Sequence, residues 1–200
     1  MKIYDENYQL VNTEILEKPE QDLVKKYIEK DDIVLELGAR YGSVSCIINS
    51  KLTNKNNQVS VEPDRRVWDA LDKNKHINNS RFNIIKGFIG NKKMDLTNLD
   101  VYYNGYGSTF IYNENSEIHS YTLDVIKKNY NLQFNVLVAD CEGFLEVFFD
   151  ENPNFYNELR LIIFEADYPE KCNYDKIRES LIKHNFKEIL TGFQNVYIKS

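Results

Sequence analysis

The chain lacks a basic excess. Lys and Arg number 25 against 31 Asp and Glu in 200 residues, a net charge of -6, and a protein that coats nucleic-acid phosphates wants the opposite sign. No nucleic-acid partner is therefore expected. Long apolar runs are also missing: the longest, such as Leu161 to Phe164 and Ile33 to Leu35, fall far short of the roughly 20 residues of a membrane helix, so no membrane span is expected. Residues 1–10 are polar and charged where a secretory leader would be apolar. Cysteine is scarce. Cys46, Cys141 and Cys172 are an odd number without a Cys-x-x-Cys pair, which points away from a disulfide framework or zinc cluster and toward a reducing compartment, the cytoplasm. Internal repeats, Ser/Gly linkers and low-complexity tracts are absent, and Lys51 to Asn57 is a polar loop. One domain over residues 1–200 is expected, with residues 1–30 as an N-terminal extension and helix.

What is present suffices for a packed core: 42% hydrophobic residues, with 14 Tyr and 11 Phe. The abundance of Asn, Lys, Ile and Tyr fits an AT-rich genome, cellular or viral; for a viral chain the cytoplasm is the host's. Short branched-apolar runs read as buried strands: Ile33 to Leu37, Gln58 to Glu62, Arg81 to Lys86, Asn135 to Asp140, Leu159 to Glu165, Lys187 to Leu190 and Val196 to Lys199. Helices are expected between them at Glu20 to Glu29, Ser43 to Lys51, Arg65 to Lys75, Tyr121 to Tyr130, Gly143 to Phe149 and Asp175 to His184, the last with Ile177, Leu181 and Ile182 inward. This alternation predicts an α/β fold: a three-layer α/β/α sandwich whose mostly parallel seven-stranded sheet ends in an antiparallel hairpin. Residues 91–120, rich in Tyr, Asn, Gly and Ser with short extended pieces such as Val101 to Tyr103 and Thr109 to Tyr112, break the rhythm as an inserted strand-and-loop excursion.

Ligands of open parallel sheets bind beyond the carboxyl ends of the strands. There the first strand runs into Glu36-Leu37-Gly38-Ala39-Arg40-Tyr41-Gly42. The spacing departs from the dinucleotide fingerprint, because Arg40 stands where a second Gly would be. An acid at Glu36 suits a ligand with a positive amino group, whereas a pyrophosphate would be repelled. The second strand ends in Glu62-Pro63, 20 residues after Gly42, where a carboxylate can accept hydrogen bonds from both hydroxyls of a ribose.

On these residues the sequence resembles the class I methyltransferases that use S-adenosylmethionine, and among them the FkbM family. The likeness runs from Asp31 to Ile189. It rests on Leu35 to Gly42, on Val61-Glu62-Pro63 with Leu71 and Asn74, on Tyr121-Thr122-Leu123-Asp124, and on Val138-Ala139-Asp140-Cys141-Glu142-Gly143-Phe144-Leu145-Glu146-Val147 followed by Ile162-Ile163-Phe164-Glu165. Arg40 replaces an Asn common in that family, and Val138 a Lys. The resemblance implies a Rossmann-like methyltransferase that transfers a methyl group to a hydroxyl of a sugar or glycoconjugate. It also implies a cofactor site of Glu36, Gly38, Ala39, Arg40, Tyr41, Gly42, Glu62, Pro63 and Asp140. The chain is short for such a family member, which points to a place within or beside a glycosyltransferase.

A sugar hydroxyl needs a base or a metal ion to favour its alkoxide. Asp140 is expected at the chemistry with Glu142 assisting. Asp140, Glu165 and Asp167 could converge on Mg or Ca, as in some sugar methyltransferases of related fold. Tyr106 and His119, from the excursion, are candidates for substrate contact, His119 as a base. Three rival readings remain open: a nicotinamide-dependent oxidoreductase, a non-catalytic methyltransferase-like binding module, and an O-methyltransferase of a small metabolite or lipid.

Overall fold

The computed structural model describes residues 1–97 and 107–200. In chain order the strands are β1 (Val34–Leu37), β2 (Gln58–Glu62), β3 (Asn83–Lys86), β4 (Phe88–Ile89), β5 (Met94–Leu96), β6 (Phe110–Tyr112), β7 (Ser120–Tyr121), β8 (Val136–Ala139), β9 (Leu161–Glu165), β10 (Phe186–Leu190) and β11 (Gln194–Lys199). The helices are α1 (Lys18–Tyr27), α2 (Ser43–Lys51), α3 (Trp68–Ile77), α4 (Leu123–Tyr130), α5 (Leu145–Glu151), the single turn α6 (Phe155–Glu158) and α7 (Tyr174–Lys183). Seven strands form one sheet in the order β10-β11-β9-β8-β1-β2-β3. Neighbours from β9 to β3 are parallel, while β11 runs antiparallel to both β9 and β10. The expected hairpin is therefore present, but its second strand lies inside the sheet and its first forms the edge.

Strand periodicity explains the continuous apolar runs, because both faces are covered. Leu35, Leu37, Val59, Leu137, Ile162 and Phe164 join one core cluster with Ile126 of α4, Leu145 and Phe148 of α5, and Ile177 and Leu181 of α7. Val34, Val136, Val138, Leu161 and Ile163 point to the other face, against Val24 of α1 and Val44, Ile47 and Ile48 of α2. In α7 the inward stripe is Tyr174, Ile177 and Leu181; Ile182 is 54% exposed, since spacings of three and four residues from Tyr174 leave it off that stripe.

Helix α5 starts two residues later than the sequence suggests. Glu142 and Gly143 take left-handed backbone at φ 51° and 84°, so the chain turns once more before helical geometry can begin. The excursion contributes the antiparallel pair β5–β6 and the parallel pair β4–β7, with the expected extended piece at Thr109 to Tyr112 becoming β6. The anticipated extended piece at 101–103 lies outside the described residues.

Residues 1–17 pack onto the domain. Ile3 is fully buried with Tyr41, Leu71 and Phe82. Tyr4 N–H donates to Asn74 Oδ1 at 2.9 Å, and Asn74 Nδ2 returns bonds to the carbonyls of Tyr4 and Tyr41. This N-terminal strap crosses the turn after β1 and delivers α1 to the site.

Candidate active site

A cavity opens beyond the carboxyl ends of β1, β2 and β8, with about 790 Å3 of empty space that includes the open mouth. Gly38, Arg40, Glu62, Pro63, Asp140 and Glu142 line it, all expected from the sequence. Glu17 lines it too. The remaining wall is largely apolar and includes Phe88, Ile89, Leu96, Phe110 and Phe144, with Ser108 beside them.

The turn after β1 is fixed by two close approaches. Gly38 sits at φ 87°, and a Cβ there would lie 1.7 Å from the main-chain oxygen of Asp140. Only glycine lets β1 and β8 end together. The amides of Gly38 and Ala39 both donate to the Val61 carbonyl at 3.0 and 3.1 Å, which pins the turn to the end of β2. Arg40, in left-handed backbone at φ 42°, then donates its N–H to Glu62 Oε2 at 2.6 Å, while Asp64 N–H donates to Glu62 Oε1 at 2.7 Å. Glu62 is thereby held by two amides at the β2 tip. Burial nonetheless raises its pKa to about 7, against the lowering effect of those amides. The Arg40 guanidinium lies 3.7 Å from Asp64 and over the Tyr41 ring.

Glu36, Ala39, Tyr41 and Gly42 are not among the residues that line the cavity. Glu36 shares a face of β1 with Val34, toward α2, and there accepts hydrogen bonds from Ser45 Oγ at 2.6 Å, from Ser60 Oγ and from Gln58 Nε2. It is 1% exposed, its Oε1 has no partner among the described residues, and burial raises its pKa to about 7. Ala39 and Tyr41 are buried in the cluster beneath the strap, with the Tyr41 hydroxyl donating to Glu6. Gly42, at φ 82°, begins α2, and a Cβ on it would meet Leu71 Cδ1 at 2.7 Å. These four shape the turn from behind.

At the β8 tip the carboxylates gather. Oxygens of Asp140, Glu165 and Asp167 lie within 4.8 Å of one another. Carboxylates this close do not all ionise together, so protons are shared. Burial first, then the Asp167 charge, raises the Asp140 pKa to about 6. Burial and the Asp140 charge raise that of Glu165 to about 9, and burial with a bond to Asp167 raises that of Glu142 to about 9. The group is tied down from outside: Gln194 Nε2 donates to Glu165 at 2.6 Å, the Tyr174 hydroxyl to Asp167 at 2.7 Å, and Gly107 N–H to Glu142 at 3.0 Å. Cys141 also lines the cavity, but burial holds its thiol well above the ordinary range, which leaves no reactive thiolate.

His119 is exposed and lies outside the cavity lining. Its main-chain carbonyl accepts from Phe88 N–H at 2.9 Å. Tyr106 lies outside the described residues. The sequence did not single out Glu17 or Glu20. Both open α1 near Asp140, Glu20 buried and Glu17 half-buried at the cavity wall, and an acid pair flanking Lys18-Pro19 reads simply as a helix start.

No family model and no curated protein sequence matches the chain. Solved structures do. Precorrin-6y C5,15-methyltransferase from Geobacter metallireducens GS-15 superposes with a TM-score of 0.57 at 13% identity, covering 90% of this chain and 87% of its own. Ribosomal protein L11 methylase from Lactobacillus delbrueckii subsp. bulgaricus gives 0.50 at 15% identity, covering 92% and 79%. A protein of the NADB-Rossmann superfamily from Streptococcus agalactiae gives 0.53 at 10%, covering 90% and 68%. The chain has the Rossmann-like fold of class I methyltransferases.

Proposed function

We propose that the protein is a methyltransferase that takes its methyl group from S-adenosylmethionine and delivers it to a hydroxyl of a sugar or glycoconjugate. The observation that carries this reading is the placement of Gly38, Glu62 and Asp140 around one cavity at the ends of three adjacent parallel strands. The residues fit the cofactor. Each Glu62 oxygen has lone-pair capacity beyond the single amide it accepts, enough for ribose hydroxyls. Phe88, Ile89 and Phe110 offer an apolar bed for a base. When bound, the cofactor supplies an electrophilic methyl carbon.

The chain's own contribution is positioning, exclusion of water and proton handling. With its pKa near 6, Asp140 is ionised at pH 7 and close enough to neutrality to take a hydroxyl proton. Glu142, near 9, keeps its proton and serves as a hydrogen-bond donor to the acceptor. The three converging oxygens of Asp140, Glu165 and Asp167 also fit a hard divalent cation, Mg or Ca, which would lower the pKa of a bound hydroxyl. Acceptor identity is not inherited through a fold, and the two methylating neighbours are named for a precorrin and a ribosomal protein. A carbohydrate acceptor rests on the FkbM resemblance and on the acids around the cavity, which repel phosphates. A place beside a glycosyltransferase in the cytoplasm accords with this role.

The test is calorimetric titration with S-adenosylhomocysteine, using wild type and Glu62→Ala, with and without EDTA, followed by turnover on a glycan panel. Saturable binding weakened about tenfold or more by the substitution is expected, the scale of a lost charged hydrogen bond. No binding by wild type would overturn the reading, and binding without turnover would leave a non-catalytic module.

A further inference from the structure

We propose that the groove beyond the end of β9, beside the β10–β11 turn, is a second acceptor subsite that holds the neighbouring sugar of an oligosaccharide, so that the protein methylates a sugar within a glycan chain in preference to a free monosaccharide. The inference rests on the sugar reading above and adds the length of the acceptor to it.

Strand β11 runs antiparallel to β9, with Gln194 beside Glu165, so the turn leading into β11 stands at the carboxyl end of the sheet, where the cavity opens. A groove of about 870 Å3, open mouth included, lies there among Ala166, Tyr174, Asp175, Arg178, Gly192 and Phe193. Residues 165–167 separate it from the acids at the β8 tip. Glu165 and Asp167 reach toward Asp140 while Ala166 lines the groove, the alternation of extended chain. Tyr174, on the groove side, donates its hydroxyl to Asp167. A ligand that reacts at these acids has the groove as its adjoining space.

A lone exposed Phe is ordinary on a protein surface. Phe193 differs in how its turn is held. Asn195 is fully buried; its Oδ1 accepts from Arg178 Nε and Nη2 at 3.1 Å each, and its Nδ2 donates to the carbonyls of Gly192 at 2.9 Å and Phe193 at 3.2 Å. The Phe193 carbonyl also accepts from Ala166 N–H at 2.7 Å, and the Gly192 carbonyl from Arg178 Nη2 at 3.2 Å. A turn fixed this firmly carries a ring that is 61% exposed, and a Cβ on Gly192 would meet no described atom within 4 Å. The ring is an apolar face set against open space before any ligand arrives, which lowers the cost of binding.

The charges beside it cancel. Arg178 Nη1 pairs with Asp175 at 2.7 Å, on a side chain that stays 84% exposed, so the groove offers no net charge to an ion, while the Asp175 carboxylate keeps lone pairs for hydroxyl donors. A polar, uncharged ligand with one apolar face suits this wall. A pyranose has hydroxyls at its rim and C–H groups on a face that leaves water against an aromatic ring.

The test measures methyl transfer from S-adenosylmethionine to the methyl glycosides of glucose, galactose, mannose and rhamnose, and of their homo-di- and trisaccharides, by wild type and Phe193→Ser. Titration with S-adenosylhomocysteine reports that the variant is folded. In wild type, kcat/KM should rise about tenfold or more from the mono- to the trisaccharide of the accepted sugar, mainly through KM, and Phe193→Ser should bring that ratio to about one. The same kcat/KM at every length in wild type, or an equal loss at every length in the variant, overturns the subsite and leaves the sugar reading standing. Transfer to none of these sugars by protein that binds S-adenosylhomocysteine overturns both. A preference for the same sugar on a serine peptide, lost in Phe193→Ser, would give the groove to a peptide, and a dimer in gel filtration that the substitution dissociates would give it to a second copy; either overturns the proposal.

Discussion

Glu36 offers a direct test of whether an acid in the glycine turn serves the ligand or the fold. Its carboxyl is 1% exposed, receives three donors on one oxygen and, among the described residues, none on the other, and has its pKa raised from 4.5 to about 7. Burial is the dominant cause and outweighs the hydrogen bonds, which act in the opposite direction. Because the folded-state value lies above the unfolded one, the folded protein binds the extra proton between about pH 4.5 and 7. The stability from the neutral form is fully present below pH 4.5 and is lost as pH rises through 7. A shift of about 2.5 units at about 1.36 kcal/mol each corresponds to about 3 kcal/mol. Glu36→Gln keeps the shape and cannot ionise. In urea unfolding from pH 4.5 to 9, the stability of Glu36→Gln relative to wild type should climb by about 1.4 kcal/mol per pH unit, then level off above pH 7 after a total gain near 3 kcal/mol. Any constant offset from the new amide drops out of this difference. Parallel curves would refute the placement of a neutral Glu36 at low pH, and loss of S-adenosylhomocysteine binding would return it to the ligand site.

Three further outcomes follow from the same geometry. Gly38→Ala puts a Cβ 1.7 Å from the Asp140 carbonyl at φ 87°, so a thermal melt should fall by about 10 °C or more, the effect of roughly 4 kcal/mol in a chain of this size; a near-normal Tm would show that β1 and β8 are not so close. Arg160 clamps Asp32 through Nε and Nη2, and the Asp32 side chain is only 3% exposed. Arg160→Met should cost about 3–5 kcal/mol in urea unfolding by stranding that charge, and adding Asp32→Asn should recover most of it; a loss below about 1 kcal/mol would refute the pairing. If Asp140, Glu165 and Asp167 bind Mg or Ca, millimolar metal should raise the Tm of wild type but not of Asp167→Asn, and no metal-dependent shift in wild type would eliminate the site.

The central strands were legible because both faces of the sheet are covered there, so that Val136 to Ala139 and Leu161 to Phe164 read as unbroken apolar runs. Glu62 and Asp140 were legible because each is an acid at the end of such a run. The parity of Glu36 was not read, although Gln58, Ser60 and Ser45, polar residues in otherwise apolar segments, mark the face that receives it. Ile182 missed the core by one helical position. Glu17 and Glu20 were hidden for a different reason. Their acidity suits any helix start, and only the strap, packing Ile3 and Tyr4 against residues some 70 positions away, brings Glu17 to the cavity wall.

The cavity's chemistry follows from how its charges are compensated. Glu62 is compensated by two amides, Asp64 by Arg66 and Arg40, and Glu17 by a serine hydroxyl. Asp140, Glu165 and Glu142 have few donors and hold shared protons instead. Replacing these acids with apolar residues would relieve the repulsion, so stability alone does not account for their clustering. The function proposed above, with a cationic cofactor and a hydroxyl that loses a proton, uses both properties: an acidic wall beside the cofactor and, at the β8 tip, a carboxyl pair poised on either side of neutrality. The fold bears that strain where the strands end, at the cavity rather than in the core.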